Sequence, residues 1–455
     1  MTGAEDRGAR YLEAARKSVH VSVGLFAVLL RWLDPWQALA LALAAFFFNW
    51  QVLPRATGRG LEREADRTRG YPLGILLYPI SVALLIVIFP GRLDVVAAAW
   101  ALMAFGDGAA TIAGTFLGGP KLPWNASKSW AGFAGFVAAG TAASAILFQW
   151  VAGGHPDLPV PLLPIWAIAA AAALLGALIE SLPTGVDDNL TVPLLTGGAI
   201  YALTLVDPAR LAAADPPLVR QFLIGAAVNL VVAGAAWAAR TVQTSGAVVG
   251  HLVGTAIWTF SGWRGYLILV AFFVLASGST KVGYERKAAR RIAQEAGGRR
   301  GARHAIANCG LAVLLAFLAA GTPYTTALLI AFTASLATAV FDTVSTEIGQ
   351  VYGRHPILIT TLKPVPPGTD GAVSLEGTAA GLAAGALLSA LAWATGMIPA
   401  AGAAVAIAAS FLGTTAESYL GATVESMKMV DNEAVNFANT LVGALAALGI
   451  WALVG

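Results

Sequence analysis

The sequence has 455 residues, of which 57% are hydrophobic and only 12% are charged. Soluble globular domains carry about 25% charged residues, so this composition excludes an ordinary soluble domain and predicts an integral membrane protein. The net charge of +3 does not suggest a nucleic-acid partner. The single cysteine, Cys309, excludes an internal disulfide and a cysteine-based metal cluster.

Apolar runs that could cross a bilayer follow one another along nearly the whole chain. Such runs have roughly 17–25 residues, and here the breaks between them are charged or rich in proline and glycine. The pattern predicts an all-α polytopic membrane protein with about fifteen transmembrane helices. The predicted spans are residues 20–33, 36–53, 72–90, 94–117, 130–152, 162–180, 190–206, 220–240, 246–260, 265–280, 304–320, 324–347, 374–395, 398–420 and 434–454.

The basic residues predict how these helices are oriented. The first 17 residues are charged and polar and lack the pattern of a removable signal, so we expect the first apolar run to remain as a membrane helix. With the N-terminus in the cytoplasm, five arginines face outward and the other 23 of 28 basic residues face inward. The five are Arg31, Arg92, Arg210, Arg220 and Arg264. Because basic loops favour the cytoplasmic side, we predict a multi-pass protein of the cell (inner, cytoplasmic) membrane with its N-terminus and catalytic loops in the cytoplasm.

The two halves of the chain carry the same polar residues in the same order. Glu180 follows Asp107 by 73 residues, and Glu417 follows Asp342 by 75. We therefore predict two parallel seven-helix repeats, in domains 1–215 and 216–455, joined by one extra helix within 216–243 that restores the orientation. The matching positions are Asp107 and Asp342, Thr111 and Thr346, Gly114 and Gly349, Ser129 and Ser374, Gly132 and Gly377, Glu180 and Glu417, Asp188 and Asp431, and Asn189 and Asn432.

Each half also has a charged loop after its second predicted helix. Residues 55–69 carry charges of both signs, and residues 281–303 are mainly basic. One interpretation is a solvated segment that fixes the topology and contacts anionic lipid headgroups. The other is phosphate binding, for which the turn Arg299-Arg300-Gly301 is best suited, because arginine beside glycine offers planar donors next to accessible backbone N–H groups.

Carboxylates and cations gather at the predicted inner ends of the helices in both halves. Phosphoryl transfer needs carboxylates for Mg²⁺, cations for phosphate oxygens and a positioned acceptor hydroxyl. The candidate metal ligands are Asp107, Asp187, Asp188, Asn189, Asp342, Glu347, Asp431 and Asn432. The candidate catalytic residues are Asp107, Lys128, Glu180, Asp188, Asn189, Asp342, Glu347, Lys363 and Glu417.

These candidates differ in how strongly the pattern supports them. Asp107 and Asp342 stand within or near apolar runs, where an unpaired charge costs several kcal/mol, so a functional role is favoured. Glu180 and Glu417 could be bases, magnesium ligands or helix-end residues, and the spacing does not choose among these roles. No P-loop, protein-kinase glycine loop or zinc-protease motif is present, so a kinase would be of a membrane-embedded type.

Short motifs in the first half carry a family resemblance. They are Arg16-Lys17-x-x-His20, Gly106-Asp107-Gly108, Lys121-Leu122-Pro123-Trp124-Asn125, Lys128-Ser129-Trp130-Ala131-Gly132, and Glu180-Ser181-Leu182-Pro183 followed by Asp188-Asn189-Leu190-Thr191. With these motifs, residues 15–205 resemble phytol kinase within the wider dolichol kinase and CDP-diacylglycerol synthase group. His20 has a second reading, as an interfacial residue flanking the first helix.

The second half carries a different resemblance. Its motifs are Ser277-Gly278-Ser279-Thr280-Lys281, Arg299-Arg300-Gly301 with Asn308, Asp342-Thr343 with Glu347-Ile348-Gly349, and Thr360-Thr361-Leu362-Lys363 through Gly368-Thr369-Asp370-Gly371 with Ser374 and Gly377-Thr378. With these motifs, residues 220–455 resemble the membrane family that includes plant phytyl-phosphate kinase. Val373 stands where the first half has Lys128, so Lys363 or the Arg299 region would supply that positive charge.

The two resemblances imply two successive phosphorylations that use CTP and Mg²⁺. The first half would convert an isoprenoid alcohol such as phytol or geranylgeraniol to its monophosphate, and the second would convert the monophosphate to the diphosphate. The expected partners are therefore the isoprenoid alcohol, its monophosphate, a nucleoside triphosphate and the lipid bilayer. The candidate cofactor-binding residues are His20, Lys128, Ser129, Arg299, Arg300, Asn308, Lys363, Asp370 and Ser374.

Two other functions remain open on the sequence. A lipid-phosphate cytidylyltransferase, as in the CDP-diacylglycerol synthase branch, uses similar ligands but cleaves CTP between the α- and β-phosphates. A secondary transporter also combines repeated helix bundles with intramembrane acids. Against transport, the acids here stand beside long basic loops and not at the predicted bilayer midplane.

Overall fold

The computed structural model describes residues 17–57, 73–182, 186–425 and 431–455, which are mostly helical. These residues belong to two compact units, Met1–Val206 and Asp207–Gly455. Most of the first predicted charged loop, together with Arg16 and Pro183 of the predicted motifs, lies outside the described residues.

The first unit contains helices and one short β-hairpin. A π-helical turn, Leu102–Gly106, lies inside the fourth helix, directly before Asp107. The helices are α1 (17–31), α2 (35–57), α3 (Leu73–Ile88), α4 (Leu93–Phe116), α5 (Trp130–Ala152), α6 (Ile165–Ser181) and α7 (Asp188–Thr204), and the hairpin strands are β1 (Lys121–Leu122) and β2 (Asn125–Ser129).

The second unit has the same kinds of elements. The predicted break between residues 260 and 265 is a kink at Gly262, whose φ of 65° is the left-handed conformation that glycine adopts without strain. The helices are α8 (Pro208–Ala212), α9 (Leu218–Ala238), α10 (Thr244–Lys281), α11 (Tyr284–Ala289), α12 (Ala302–Gly321), α13 (Thr325–Tyr352), α14 (Leu375–Ala394), α15 (Ala400–Leu420) and α16 (Asn432–Val454), and the strands are β3 (Ile357–Leu358) and β4 (Ala372–Val373).

The protein is an integral membrane protein with a helical fold, as predicted. Among the described residues, ten helices are long and apolar enough to cross a membrane, and α3 and α6 are shorter apolar helices. The count of fifteen spans and the parallel arrangement of two repeats stay predictions.

One helix is central in each unit. In α4, all residues of Leu93–Ala101 are buried, and in α13 the same holds for the run from Ile330 to Val344. Their small residues, mainly alanine with serine or threonine, let neighbouring helices approach closely. The two aspartates singled out by the sequence, Asp107 and Asp342, therefore project from the most enclosed helix of their unit.

The glycines of the shared motif mark a close helix crossing in each unit. A Cβ built on Gly132 of α5 would lie 2.9 Å from the Ala110 carbonyl oxygen of α4 and 3.6 Å from Gly114 Cα. In the second unit, a Cβ on Gly377 of α14 would lie 2.5 Å from the Ser345 carbonyl oxygen and 3.1 Å from Gly349 Cα. Larger residues would force these helices apart, so the glycines set how closely the helix after each hairpin packs on the central helix.

The hairpins and the outward-predicted arginines lie at opposite ends of each unit. Strands β1 and β2 pair antiparallel and lead into the start of α5, whereas Arg31 Nη1 donates to the Trp150 carbonyl oxygen near the end of α5. Likewise, β3 and β4 lead into α14, and Arg264 Nη1 donates to the Gly396 carbonyl oxygen beyond the end of α14 (3.3 Å). Each unit thus has one polar end with the hairpin, and the side of the membrane it faces stays a prediction.

Candidate active site

In the first unit, Asp107 is held by two basic side chains from α1. Asp107 is 7% exposed, Lys17 Nζ lies 2.5 Å from its Oδ2, and His20 Nε2 lies 3.6 Å from the same oxygen. His20 Nε2 is also 3.0 Å from the Met103 carbonyl oxygen, a geometry that requires the proton on Nε2. The preceding π-helical turn inserts an extra residue, and such turns often set the direction of functional side chains.

A second ion pair joins the hairpin to the end of α6. Lys128 on β2 donates to Glu180 Oε1, and the Glu180 carboxylate is almost fully buried. Burial acts to lower the pKa of Lys128, but the adjacent Glu180 carboxylate outweighs burial and raises the pKa above its ordinary value. The Lys128 ammonium therefore stays charged at neutral pH.

The hairpin is fixed at this position by contacts with Ser181. Trp124 Nε1 donates to Ser181 Oγ and Asn125 Nδ2 donates to the Ser181 carbonyl oxygen, both at 3.0 Å. Ser129, which we predicted to bind a cofactor, is the N-cap of α5, where its Oγ accepts from Gly132 N at 3.2 Å. These contacts hold Lys128 opposite Glu180.

The start of α7 brings three more predicted residues to the same end of the unit. Asp187 caps the helix by accepting from Asn189 N (2.9 Å), and Ser81 Oγ donates to the Asn189 carbonyl oxygen. The Asn189 Oδ1 atom is buried and has no hydrogen-bond donor within the described residues. Asp188 forms no ion pair with any residue that the structure describes, yet it lies close enough to interact electrostatically with four charged neighbours, Lys128, Asp107, Glu180 and Asp187.

In the second unit, a lysine from a different element pairs with Glu347, an acid that has no counterpart among the matched positions of the first half. Lys287 of α11 donates to Glu347 Oε2 of α13 and to the Thr280 carbonyl oxygen (2.9 Å). The Lys287 side chain is 1% exposed and that of Glu347 is 4% exposed. Glu347 Oε1 is buried without a hydrogen-bond donor among the described residues. Asp342, one and a half turns earlier on α13, is also buried.

Arg300 adds a second cation beside these acids. Its Nη2 donates to the Thr280 hydroxyl (3.3 Å) and the Ala276 carbonyl oxygen (3.4 Å), and its Nη1 lies 2.6 Å from His304 Nε2. Because arginine is always the donor, His304 Nε2 accepts and the imidazole is neutral. Arg300 interacts electrostatically with Glu347 and Asp342, so the structure brings these three predicted residues together.

The other predicted residues of the second unit lie in several places. Arg299 is exposed, and Asn308 is buried and donates to the His304 carbonyl oxygen (2.9 Å). Ser374 caps α14 through Gly377 N (3.2 Å), and Asp431 caps α16 through Ala434 N (2.9 Å) while forming an ion pair with Arg303. Lys363 and Asp370 are exposed in the segment between β3 and β4, Glu417 is half-buried near the end of α15, and Asn432 accepts from Asn436.

The predicted magnesium ligands do not form a metal cage by themselves. Across residues 17–57, 73–182, 186–425 and 431–455, no group of three or more His, Cys, Asp or Glu side chains is placed to hold a metal ion. Magnesium usually takes only one or two protein carboxylates and completes its shell with water and phosphate oxygens. The unpartnered oxygens Asn189 Oδ1 and Glu347 Oε1 are hard donors of the kind that Mg²⁺ prefers, so the residues present fit such an ion.

The sequence did not indicate which basic residues pair with the acids across long stretches of chain, although Lys17 stands in the motif Arg16-Lys17-x-x-His20. Lys17 lies 90 residues from Asp107, and Lys287 lies 60 residues from Glu347. The i, i+3 spacing of Lys17 and His20 on one helical face could have indicated the first. Lys287 stands within a run of basic residues, and the sequence pattern gives no signal that separates it from its neighbours.

Comparison with known proteins identifies the family. Residues 227–444 match the family described as integral membrane protein DUF92. An uncharacterized membrane protein of Synechocystis is 41% identical over 206 residues, which cover 44% of this chain and 80% of the relative. The chain belongs to the DUF92 family of integral membrane proteins.

Plant relatives match over smaller shares of their length. The chloroplast protein VTE6 of Arabidopsis thaliana is 37% identical over 213 residues, which cover 45% of this DUF92 member and 64% of the relative. Probable phytol kinase 3 of Glycine max chloroplasts is 32% identical over 195 residues, which cover 39% of the chain and 59% of the relative. The matches thus span about three fifths of the length of these two plant proteins, and no solved structure matches the chain.

Proposed function

We propose that this DUF92 member is a bifunctional membrane kinase that phosphorylates an isoprenoid alcohol and then the resulting monophosphate, with CTP as the donor. The observation that carries the proposal is that each unit has, at its hairpin end, a buried carboxylate paired with a lysine and a hard oxygen without a partner. Phosphoryl transfer uses carboxylate or amide oxygens for Mg²⁺ and cations for the phosphate oxygens, and these groups are of those kinds. The phytol kinase relative supports an isoprenoid alcohol as the first acceptor.

In the first site, the residues divide between the nucleotide and the acceptor. Asp107, Asp188 and Asn189 would hold Mg²⁺, which when bound neutralises the β- and γ-phosphate charge. Lys128 would leave Glu180 for a phosphate oxygen, and the released Glu180 carboxylate would accept the proton of the acceptor hydroxyl. The alcohol oxygen then forms a bond to the γ-phosphorus as the bond to the β–γ bridging oxygen breaks.

The second site faces a different acceptor. A phosphate monoester has a second pKa of about 6, so its attacking oxygen is already ionised at neutral pH and needs no general base. The difficulty is repulsion between two anions, which buried cations reduce. Arg300 and Lys287 would supply that positive charge, and Asp342 and Glu347 would hold Mg²⁺.

Labelled CTP tests this proposal. Purified protein in lipid is incubated with phytol, Mg²⁺ and CTP labelled at either the γ- or the α-phosphate, and the lipids are separated. We expect γ-label in phytyl monophosphate and diphosphate and no α-label in lipid. The α-label in lipid would instead identify cytidylyl transfer, and uptake of phytol into vesicles without a phosphorylated product would identify transport.

A further inference from the structure

A cavity of about 130 Å³ lies inside the second unit, between α9, α10 and α12. Most of its wall is apolar, and Arg300 and His304 are among its polar lining residues. The apolar wall includes Val232, Val253, Leu269, Val270 and Phe273.

The cationic group of this cavity lies at one end of it along α9. Val242, just beyond α9, pairs with Arg300 as an isolated bridge, so the Arg300 end lies near the end of α9. Asn229, which also lines the cavity, is seven residues before the lining residue Ala236, or about 10 Å along the helix. The cavity is therefore elongated, with its cationic group at one end.

Arg300 has only neutral hydrogen-bond partners. These are the Ala276 carbonyl oxygen, the Thr280 hydroxyl and His304, and no carboxylate of the described residues lies within ion-pairing distance. A partly buried guanidinium without an ion-pair partner favours an anionic ligand. An apolar wall beside such a group fits a molecule with an anionic head and an apolar tail.

We propose that this cavity binds the acceptor of the second kinase site, a prenyl monophosphate, with its phosphate on Arg300 and the first part of its tail between α9, α10 and α12. The proposal rests on the proposed function. Thr280 accepts from Arg300 through its hydroxyl and from Lys287, the partner of Glu347, through its carbonyl oxygen, so a phosphate on Arg300 would be held near the Lys287–Glu347 pair.

The size of the cavity and the position of α9 agree with an acceptor that comes from the bilayer. A cavity of about 150 Å³ holds one benzene molecule, so this one encloses only the first part of a prenyl tail. The remainder would continue along the same face of α9, where the lining residue Val232 is 39% exposed and Phe222, two turns before Asn229, is 52% exposed. The helix predicted only as a connection between repeats would thus be part of the substrate site.

Photolabelling without CTP tests the cavity independently of catalysis. The probe is phytyl phosphate with a diazirine near its phosphate end, added to the protein in lipid nanodiscs, and labelled peptides are mapped by mass spectrometry. We expect the probe to label α9, α10 and α12, and unlabelled phytyl phosphate to compete with this labelling. Phytol should compete about tenfold less effectively, and phosphatidate should not reduce the labelling. Arg300→Met should remove the advantage of phytyl phosphate over phytol.

Two glycine variants separate cavity filling from general damage. A Cβ on Gly250, which lines the cavity, or on Gly234, which does not, meets nothing within 4 Å, so both positions accept a larger side chain. Gly250→Leu should lower labelling about tenfold by occupying the space of the tail, and Gly234→Leu should leave it unchanged.

The outcomes separate the cavity from the proposed function. Competition by phosphatidate as strong as by phytyl phosphate would overturn the proposal in favour of a structural phospholipid site. So would labelling confined to other helices, or labelling equal in the Gly250 and Gly234 variants. If the cavity is labelled as expected but the protein transfers no γ-phosphate, the cavity binds the prenyl monophosphate and the proposed kinase function is wrong.

Discussion

The two units share the same hairpin and helix cap at their candidate sites, but the lysine that pairs with a buried glutamate comes from a different element in each. In both, a short antiparallel hairpin ends at a serine that caps the next helix, Ser129 or Ser374, with an Oγ to N distance of 3.2 Å. In both, a glycine one turn later packs closely on the central helix. The hairpin end of each unit is thus built alike.

The cations differ because the residue before each capping serine differs. Lys128 on β2 reaches Glu180 in the first unit, whereas Val373 occupies the corresponding place on β4. In the second unit the lysine comes from α11, and it pairs with a glutamate on the central helix itself. A partly exposed lysine can exchange partners, whereas Lys287 is enclosed. The first unit therefore has the more movable cation, which suits the proposed alcohol acceptor, and the second has a fixed cation, which suits the proposed phosphate acceptor.

Neutralising each central aspartate separately is the most direct test of whether the two units work as separate sites. We expect Asp107→Asn to abolish phosphorylation of phytol and to leave that of phytyl phosphate intact, and Asp342→Asn to do the converse. Losing charge stabilisation at a transition state costs on the order of 10²–10³ in rate. Each variant is assayed with phytol and with phytyl phosphate as separate acceptors.

The matched control for these variants is Asp157→Asn, because Asp157 is exposed in the segment between α5 and α6. It should retain both activities. Loss of both activities from a well-folded Asp107 or Asp342 variant would mean that the two units do not work as separate sites.

The two lysines should differ in their effect on stability. Lys287→Met leaves the enclosed Glu347 carboxylate uncompensated, and breaking a buried ion pair in this way costs about 3–5 kcal/mol. Lys128→Met also leaves a buried carboxylate, because the Glu180 side chain is only 6% exposed, but we expect a smaller loss of stability because 35% of the Lys128 side chain is exposed and water already reaches the lysine side of this pair. Thermal unfolding in detergent measures both.

A double variant identifies the cause. Lys287→Met with Glu347→Gln removes both charges and should recover most of the lost stability while remaining inactive on phytyl phosphate. An unchanged melting temperature in the single Lys287 variant would show that this pair is not enclosed as the structure has it.

The parts of the site that the sequence predicted are those whose signal is local. The sequence singles out Asp107 and Asp342 as candidates because a charge inside an apolar run is costly. It predicts the helix ends near Glu180 and Asp188 because charged and proline-rich breaks end apolar runs. The integral membrane character follows from composition alone. These features depend on neighbours within a few residues.

What the sequence did not indicate depends on contacts between distant segments. Lys287 is one of several basic residues in its loop, and only the packing of α11 against α13 separates it from the others. The hairpins are too short for alternating hydrophobicity to mark their strands. The cavity beside Arg300 and His304 likewise cannot be read from the sequence, because it depends on how α9, α10 and α12 pack together.

The smallest expected effect concerns the two capping serines, which the sequence led us to predict as cofactor-binding residues. Removing a serine N-cap typically costs about 1 kcal/mol, so Ser129→Ala and Ser374→Ala should each lower the melting temperature slightly. If Oγ serves only the cap, Ser129→Asp should restore stability, since aspartate caps as well as serine, and KM for CTP should be unchanged in the alanine variants.

A rise in KM for CTP in an alanine variant of normal stability would instead assign that hydroxyl to the nucleotide. Applying the test to both serines asks whether the common architecture of the two hairpins serves folding alone or also binds the phosphate donor.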